Sequence, residues 1–142
     1  MSIATPDFAK LKSGLKASWM AGDFGQVANF AAAEAGRFVK RLGIAPGARV
    51  LDVACGAGNT VIPASRAAAS VTGVDISPNL LSQARKRAAA EGLETGFDEG
   101  DAEQLSYSDQ SFDVGLTMFG AMFALDRIES LPSWFGCANR GD

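Results

Sequence analysis

The sequence predicts one α/β domain, in which helices precede a mostly parallel, doubly wound sheet with the strand order 3-2-1-4. Two observations predict this class. Short apolar runs end on acids or turn residues, and helical periodicity fills the segments between them. The resulting order β-α-β-α-β-turn-β favours parallel strands with right-handed crossovers. A chain of 142 residues is long enough to bury one core.

The composition indicates a globular protein in a reducing compartment. Hydrophobic residues are 47%, charged residues are 20% and the net charge is −3, so neither a nucleic acid nor a membrane is an expected partner. The chain has no histidine, which excludes a histidine base, a histidine-ligated metal and a Ser-His-Asp triad. Cys55 and Cys137 lie far apart, so no metal site is expected and a cytoplasmic location is predicted. No apolar stretch approaches the ~18–20 residues of a membrane span.

Two helices are predicted before the sheet. The segment Thr5 to Ala21 is expected to be partly helical. Asp23 then resembles an N-cap, and Gln26 completes a capping box. The apolar stripe of the second helix is Val27, Ala31, Ala35, Phe38 and Leu42. Gly43 and the Pro46-Gly47 turn end this helix.

The first β-α-β unit follows. Arg49 to Ala54 is an apolar run typical of a strand buried on both faces. Asn59 is expected to cap a helix that runs to about Ala69, with Pro63 in its first turn. Val71 to Ile76 is predicted as the second strand.

The second half of the core begins at a strong helix start. Ser77 is predicted as the N-cap and Pro78 as the first helical residue, and Gly92 ends the helix. Its buried stripe is expected to be Leu80, Leu81, Ala84 and Ala88. Two weaker strands, Thr95 to Glu99 and Phe112 to Met118, are joined by a short polar connection.

The turn after the first strand is the most informative segment. In a doubly wound sheet, ligands bind at the carboxyl ends of the strands, where the strand order reverses. Gly56 and Gly58 let the backbone approach a ligand closely, although glycines also close such turns for packing reasons. Val61 stands where a dinucleotide fingerprint needs a small residue, and the turn lacks the Gly-Lys of a P-loop. The acid Asp52 suits a ligand with a cationic amine better than a phosphate.

Two further acids follow the neighbouring strands. Asp75 ends the second strand and is placed to accept hydrogen bonds from ribose hydroxyls; a second cap beside Ser77 is the alternative. Asp101 follows the third strand and is placed for an adenine amino group; a turn residue is the alternative. Together with Asp52, they predict a pocket for an adenosine that carries an amino-acid tail.

Three runs carry a family resemblance. LDVACGAGNT, VTGVDISPNLLSQARKRA and GDAEQLSYSDQSFDVGLTMFGAMFA resemble the class I S-adenosylmethionine-dependent methyltransferases, in particular the small-molecule group that includes quinone-biosynthesis C-methyltransferases. The resemblance implies a Rossmann-like fold. It also implies the cofactor S-adenosyl-L-methionine, the product S-adenosyl-L-homocysteine and a small-molecule methyl acceptor, with neither the acceptor nor a catalytic residue identified.

The resemblance also implies a set of cofactor-binding residues. The residues around the methionine moiety and its turn would be Asp52, Ala54, Gly56, Gly58 and Asn59. Those around the adenosine would be Asp75, Ile76, Asp101 and Ala102, with Phe119 beside the sulfonium. Trp19 to Phe24 is similar to the lid of the family. Ala54 takes the first glycine position of the motif, where a β-region backbone is expected to tolerate its methyl group.

The expected organisation has three parts: a helical lid (1–45), a cofactor-binding core (46–125) and an atypical tail (126–142). The tail lacks the proline-glycine turn that precedes a fifth strand, so we expect a truncated chain without the later strands; a functional chain with an unusual tail is the alternative. An exposed fourth strand predicts a homodimer through that edge or through the C-terminal segment. A non-catalytic cofactor-binding fragment is the second functional hypothesis, and Val61 disfavours a nicotinamide oxidoreductase.

Overall fold

Four helices and four strands make up the part of the chain that the structure, a computed structural model, describes: residues 7–22, 24–67, 69–108 and 110–118. The helices are α1 (Phe8–Ala21), α2 (Phe24–Leu42), α3 (Val61–Arg66) and α4 (Pro78–Ala90). The strands are β1 (Arg49–Val53), β2 (Ser70–Asp75), β3 (Gly96–Glu99) and β4 (Val114–Leu116).

The strands form one sheet in the order β3-β2-β1-β4, which confirms the prediction. All three pairings are parallel. Val53 lies opposite Val74 and Asp75 lies opposite Glu99, so the carboxyl ends of β1, β2 and β3 share one edge. The order reverses between β1 and β4, and the turn after β1 therefore opens at the point where ligands bind in such sheets.

Both faces of the central strands are buried, as predicted for β1. The face covered by α2, α3 and α4 has a core of Val39, Val50, Cys55, Val61, Ala64, Ala69, Val71, Leu81 and Leu116. The opposite face has a smaller core of Leu51, Val53, Val74 and Phe112, which packs against Ala102, Leu105 and Tyr107. Successive β1 residues thus alternate between the two cores, because side chains of a strand alternate between its faces.

The second helical unit follows its predicted pattern. Ser77 is the N-cap of α4, Pro78 is its first residue, and the side chain of Ser77 accepts a hydrogen bond from the backbone N–H of Leu80 at 3.5 Å. All four residues of the predicted stripe are buried: Leu80, Leu81, Ala84 and Ala88.

Three local expectations were wrong. The N-cap of α3 is Thr60 rather than Asn59. The helix α3 ends at Arg66 rather than near Ala69, because β2 already begins at Ser70 and the connection needs the intervening residues. In α2, Leu42 is 44% exposed in the last turn, whereas Val39 is buried in its place. The predicted cap at Asp23 lies outside the described residues.

Among the described residues, no helix has both the length and the apolar character that a membrane span requires.

Candidate functional site

In the turn after β1, alternate residues have positive backbone φ angles. Ala54, Gly56 and Gly58 have φ angles of +58°, +55° and +90°. These values lie in the left-handed region, where a Cβ atom crowds the following carbonyl and glycine is favoured. The expected β-region backbone at Ala54 is therefore wrong. The motif places glycines at alternate positions because the turn needs a positive φ at each, and Ala54 bears the strain that a glycine would avoid.

Replacing Ala54 by glycine is expected to stabilise the protein. Relief of the left-handed strain is worth about 1–2 kcal/mol, and the greater freedom of glycine in the unfolded chain costs about 0.4–1 kcal/mol. The free energy of unfolding should rise by roughly 0.5–1 kcal/mol, measured by urea denaturation. Ala57→Gly is the matched control, because Ala57 is buried and is not among the residues with positive φ; it should lower stability. A lower stability of Ala54→Gly would contradict the strain.

Asp52 lies at the carboxyl end of β1 with its side chain inside the protein. Its exposed fraction is 1%. The hydroxyl of Thr60 donates a hydrogen bond to Oδ2, while Oδ1 is buried without a hydrogen-bond partner. A buried carboxylate oxygen that lacks a donor is costly, so it marks a place where the fold keeps an acceptor for another purpose.

Burial also changes the charge of this group. Desolvation raises the pKa of Asp52, the hydrogen bond from Thr60 opposes this rise, and the nearby carboxylate of Asp75 adds to it, so the pKa lies at about 7. Near neutral pH the carboxyl group therefore exchanges between its neutral and ionised forms. A cation at Oδ1 would favour the ionised form, because opposite charge lowers the pKa of an acid.

Asp75 joins the ends of β1 and β2. Its Oδ2 accepts the backbone N–H of Gly56 at 2.9 Å, and its Oδ1 accepts that of Ser77 at 2.8 Å. Burial raises its pKa, although these backbone donors oppose the shift. One oxygen thus supports the start of α4 and the other holds the glycine turn. The backbone N–H of Ile76 is a third donor to this carboxylate, whose roughly four acceptor positions leave room for a further donor.

Asp101 lies beyond the end of β3 and touches the N-terminal helix. Its Oδ1 accepts the backbone N–H of Glu103 at 2.9 Å, as a turn residue does. Its Oδ2 pairs with the ammonium of Lys12 in α1 at 2.7 Å. A second pair joins Lys16 to Glu99 at 2.8 Å. The helix α1 therefore lies across the same edge of the sheet as the three acids.

The remaining expected site residues have different surroundings in the structure. Asn59 accepts a hydrogen bond from Arg87 of α4 through its Oδ1 at 3.0 Å. Ile76 is half-buried directly after β2. Ala102 packs against the smaller core. Phe119 lies outside the described residues.

Three residues near the site were missed by the sequence reasoning. Thr60 contacts Asp52, and Lys12 contacts Asp101. Arg87 donates to the backbone carbonyl of Ala57 at 2.7 Å and so holds the glycine turn from α4. The spacing of Thr60 from the acid was a usable signal, since both flank the turn. The contacts of Lys12 and Arg87 cross between distant elements and have no local signal.

The arrangement can bind a ligand rich in hydrogen-bond donors. Asp52 offers a buried acceptor, and Asp75 offers free lone pairs beside it. Two acids close enough to influence each other's ionisation disfavour a phosphate and favour an ammonium group and hydroxyls. An adenosine with an amino-acid tail carries both kinds of donor, so the described residues fit such a cofactor.

Comparisons with known proteins agree with this fold. A sequence profile described as "Methyltransferase domain" matches residues 50–136. An uncharacterized protein of Mycobacterium tuberculosis is 39% identical over 129 residues, which are 89% of this chain and 47% of that protein. A demethylmenaquinone methyltransferase of Deinococcus radiodurans is 45% identical over 74 residues, or 51% of this chain and 31% of that enzyme.

Solved structures show the same architecture. A SAM-dependent methyltransferase of Aquifex aeolicus superposes with a TM-score of 0.66 over 74% of this chain and 58% of that one. The two sequences are 19% identical, so the superposition shows a shared fold alone. The chain spans about half the length of the Mycobacterium tuberculosis relative.

Proposed function

The chain belongs to the methyltransferase domain family, whose profile matches residues 50–136, in agreement with its resemblance to the class I S-adenosylmethionine-dependent methyltransferases. We propose that it binds S-adenosyl-L-methionine and transfers the methyl group to a small-molecule acceptor. The observation that carries the proposal is the buried, unpartnered Oδ1 of Asp52 at the carboxyl end of β1. The ammonium group of the methionine moiety is the natural donor for this oxygen, because it combines charge with N–H groups.

The other residues have proposed roles around that contact. Asp75 would hold the ribose hydroxyls through its remaining lone pairs while it holds the N–H of Gly56. The turn residues Ala54, Gly56, Gly58 and Asn59 would line the methionine moiety. Ile76, Asp101, Ala102 and Phe119 would surround the adenine and the sulfonium.

The chemistry requires positioning more than proton transfer. Bound S-adenosyl-L-methionine supplies an already electrophilic methyl group, so orienting an acceptor in line with it supplies much of the rate. We assign no catalytic base. In the proposed division of the chain, residues 1–45 form a lid over the core of residues 46–125. The ion pair of Lys12 with Asp101 supports this role for α1.

A non-catalytic cofactor-binding fragment remains the second candidate function. It is considered because the contacts that carry the proposal, those of Asp52 and Asp75, concern binding of the cofactor alone. Both candidates require cofactor binding, and only turnover with an acceptor separates them.

Isothermal titration calorimetry tests the shared premise. We expect the protein to bind S-adenosyl-L-homocysteine and to bind NAD much more weakly. Asp113→Asn is a matched control, because Asp113 pairs with Arg49 at the opposite edge of the sheet; this variant should bind S-adenosyl-L-homocysteine like the wild type. Preferential binding of NAD would overturn the proposal.

The assembly and location are proposed on separate grounds. β4 is an edge strand of the described sheet, and an exposed edge recruits a partner strand. We therefore expect a homodimer, paired through β4 or the C-terminal segment. Light scattering should give the dimer mass, and a monodisperse monomer would contradict this expectation. The net charge of −3 and the two distant cysteines are the ground on which we propose a cytoplasmic location with no nucleic-acid or membrane partner.

A further inference from the structure

The side chain of Thr60 does not form the hydrogen bond that is typical of a threonine at a helix N-cap. It is the N-cap of α3, and an N-cap threonine normally accepts a hydrogen bond from a backbone N–H of the first turn. Here the side chain makes no such bond. Ser77, the N-cap of α4, does accept one, from Leu80. Thr60 is nevertheless 4% exposed, so its buried hydroxyl serves another contact.

That contact is with Asp52. The hydroxyl donates to Oδ2, eight positions back along the chain and across the glycine turn. It therefore engages one oxygen of the carboxylate and leaves Oδ1 unpartnered. A carboxylate has several acceptor sites, and a single fixed donor limits rotation of the group about its last bond.

We propose that Thr60 is a positioning residue, which orients Asp52 so that Oδ1 faces the ammonium group of the cofactor's amino-acid tail. This inference rests on the proposed function. It assigns Thr60 to recognition of the amino-acid tail, because its hydroxyl is committed to Asp52. Thr60 acts through Asp52 and need not touch the cofactor.

The electrostatics of the site support this role. The hydrogen bond from Thr60 lowers the pKa of Asp52, against the effects of burial and of Asp75. Among the described residues, the titratable groups that face Asp52 are Asp75, at the end of β2, and Cys55, in the turn. Asp75 is a carboxyl group and burial keeps the thiol of Cys55 neutral by raising its pKa, so neither neighbour stabilises the ionised form of Asp52 as the hydroxyl of Thr60 does.

Two ligands and three variants test the proposal. S-adenosyl-L-homocysteine has the amino-acid tail, whereas 5′-methylthioadenosine has the adenosine and the thioether without it. Thr60→Val keeps the shape and removes the hydroxyl, Thr60→Ala removes it with a smaller side chain, and Thr60→Ser keeps it. Calorimetry should show affinity for S-adenosyl-L-homocysteine falling about tenfold in the first two and less than twofold in Thr60→Ser. Affinity for 5′-methylthioadenosine should change less than twofold in all three.

The pH profile adds a readout that a purely structural role would not move. Binding of S-adenosyl-L-homocysteine should strengthen as Asp52 ionises, and the midpoint of this change should move to higher pH in Thr60→Val. In an Asp52→Asn background, Thr60→Val should cause no further loss, because the group it positions is already changed. Circular dichroism reports folding, and Thr60→Ala serves if Thr60→Val is unfolded.

The outcomes distinguish a failure of the role of Thr60 from a failure of the proposed function on which it rests. If the wild type does not bind S-adenosyl-L-homocysteine, the proposed function fails. The positioning role of Thr60 is overturned if the wild type binds S-adenosyl-L-homocysteine but Thr60→Val and Thr60→Ala lose affinity equally for both ligands. It is also overturned if they lose affinity for neither. Equal losses in Thr60→Ser and Thr60→Val would also overturn it.

Discussion

Replacing Asp52 by asparagine is expected to stabilise the fold above pH 7 and to weaken binding of S-adenosyl-L-homocysteine about tenfold to a hundredfold. The carboxyl group is 1% exposed, and one of its oxygens has no donor. Ionising it inside the protein therefore costs free energy that an uncharged amide of the same shape does not cost. The same ionised group is the one that we propose binds the ammonium of the cofactor.

The pH dependence follows from the raised pKa. The pKa of Asp52 is about 7 in the folded protein, against 3.8 for an ordinary aspartate. Between these values the folded chain keeps a proton that the unfolded chain has released. Stability therefore falls as pH rises from about 4 to about 7, by at most ~1.4 kcal/mol per pH unit, and levels off above that window.

Urea denaturation of the wild type and of Asp52→Asn between pH 5 and pH 9 measures this slope. The slope should be smaller in Asp52→Asn, with a remainder because the pKa of Asp75 is raised as well. At pH 8 the variant should be more stable by about 1–3 kcal/mol. The control Asp113→Asn should keep the wild-type slope from pH 5 to pH 7, since its pairing with Arg49 holds the pKa of Asp113 at about 2. An unchanged slope in Asp52→Asn would contradict the buried ionisation.

The expected gain in stability and loss of binding in Asp52→Asn together distinguish a binding residue from a structural one. A buried acid without a second partner persists at the expense of stability, and such residues concentrate where a ligand is bound. If the fold were stabilised and binding were unaffected, Asp52 would be a structural feature of the turn. The ligand would then have to be held by Asp75 and the neighbouring strand end.

Local sequence patterns predicted most of the sheet and its order. The strands β1 and β2 were evident because their apolar runs are short and bounded by turn residues, and α4 was evident from Ser77 and Pro78 at its start. The ends of elements were predicted less well. Asn59 and Thr60 are both good capping residues, and the choice between them depends on the tertiary contact of the Thr60 hydroxyl with Asp52.

The conformation of the turn was the main expectation that failed. Ala54 has a side chain that fits several backbone regions, and its positive φ follows from the path between β1 and α3 rather than from its own preference. The long-range pairs of Lys12 with Asp101 and of Arg87 with Ala57 depend on how α1 and α4 pack. Such contacts follow only from the tertiary structure.

Replacing Gly58 by alanine is expected to be the most destabilising small change in the turn. Its φ of +90° already disfavours a side chain. An added Cβ would lie 3.3 Å from the Cβ of Ala84, closer than normal packing, so α4 would have to shift slightly; its distance of 3.7 Å to Cγ1 of Ile62 is an ordinary contact. Left-handed strain and overpacking each cost about 1–3 kcal/mol. The free energy of unfolding should therefore fall by about 3 kcal/mol in urea denaturation.

Gly56→Ala is the matched comparison within the same turn. Its φ is +55°, but an added Cβ would meet no protein atom within 4 Å, so only the backbone strain of about 1 kcal/mol applies. If that open space faces the cofactor, Gly56→Ala should stay folded and lose affinity for S-adenosyl-L-homocysteine. The two glycines then differ in kind: Gly58 lets α3 and α4 pack against the turn, and Gly56 lets the ligand approach it. Equal stabilities of the two variants would contradict the close contact with Ala84, and wild-type binding by Gly56→Ala would show that the ligand lies elsewhere.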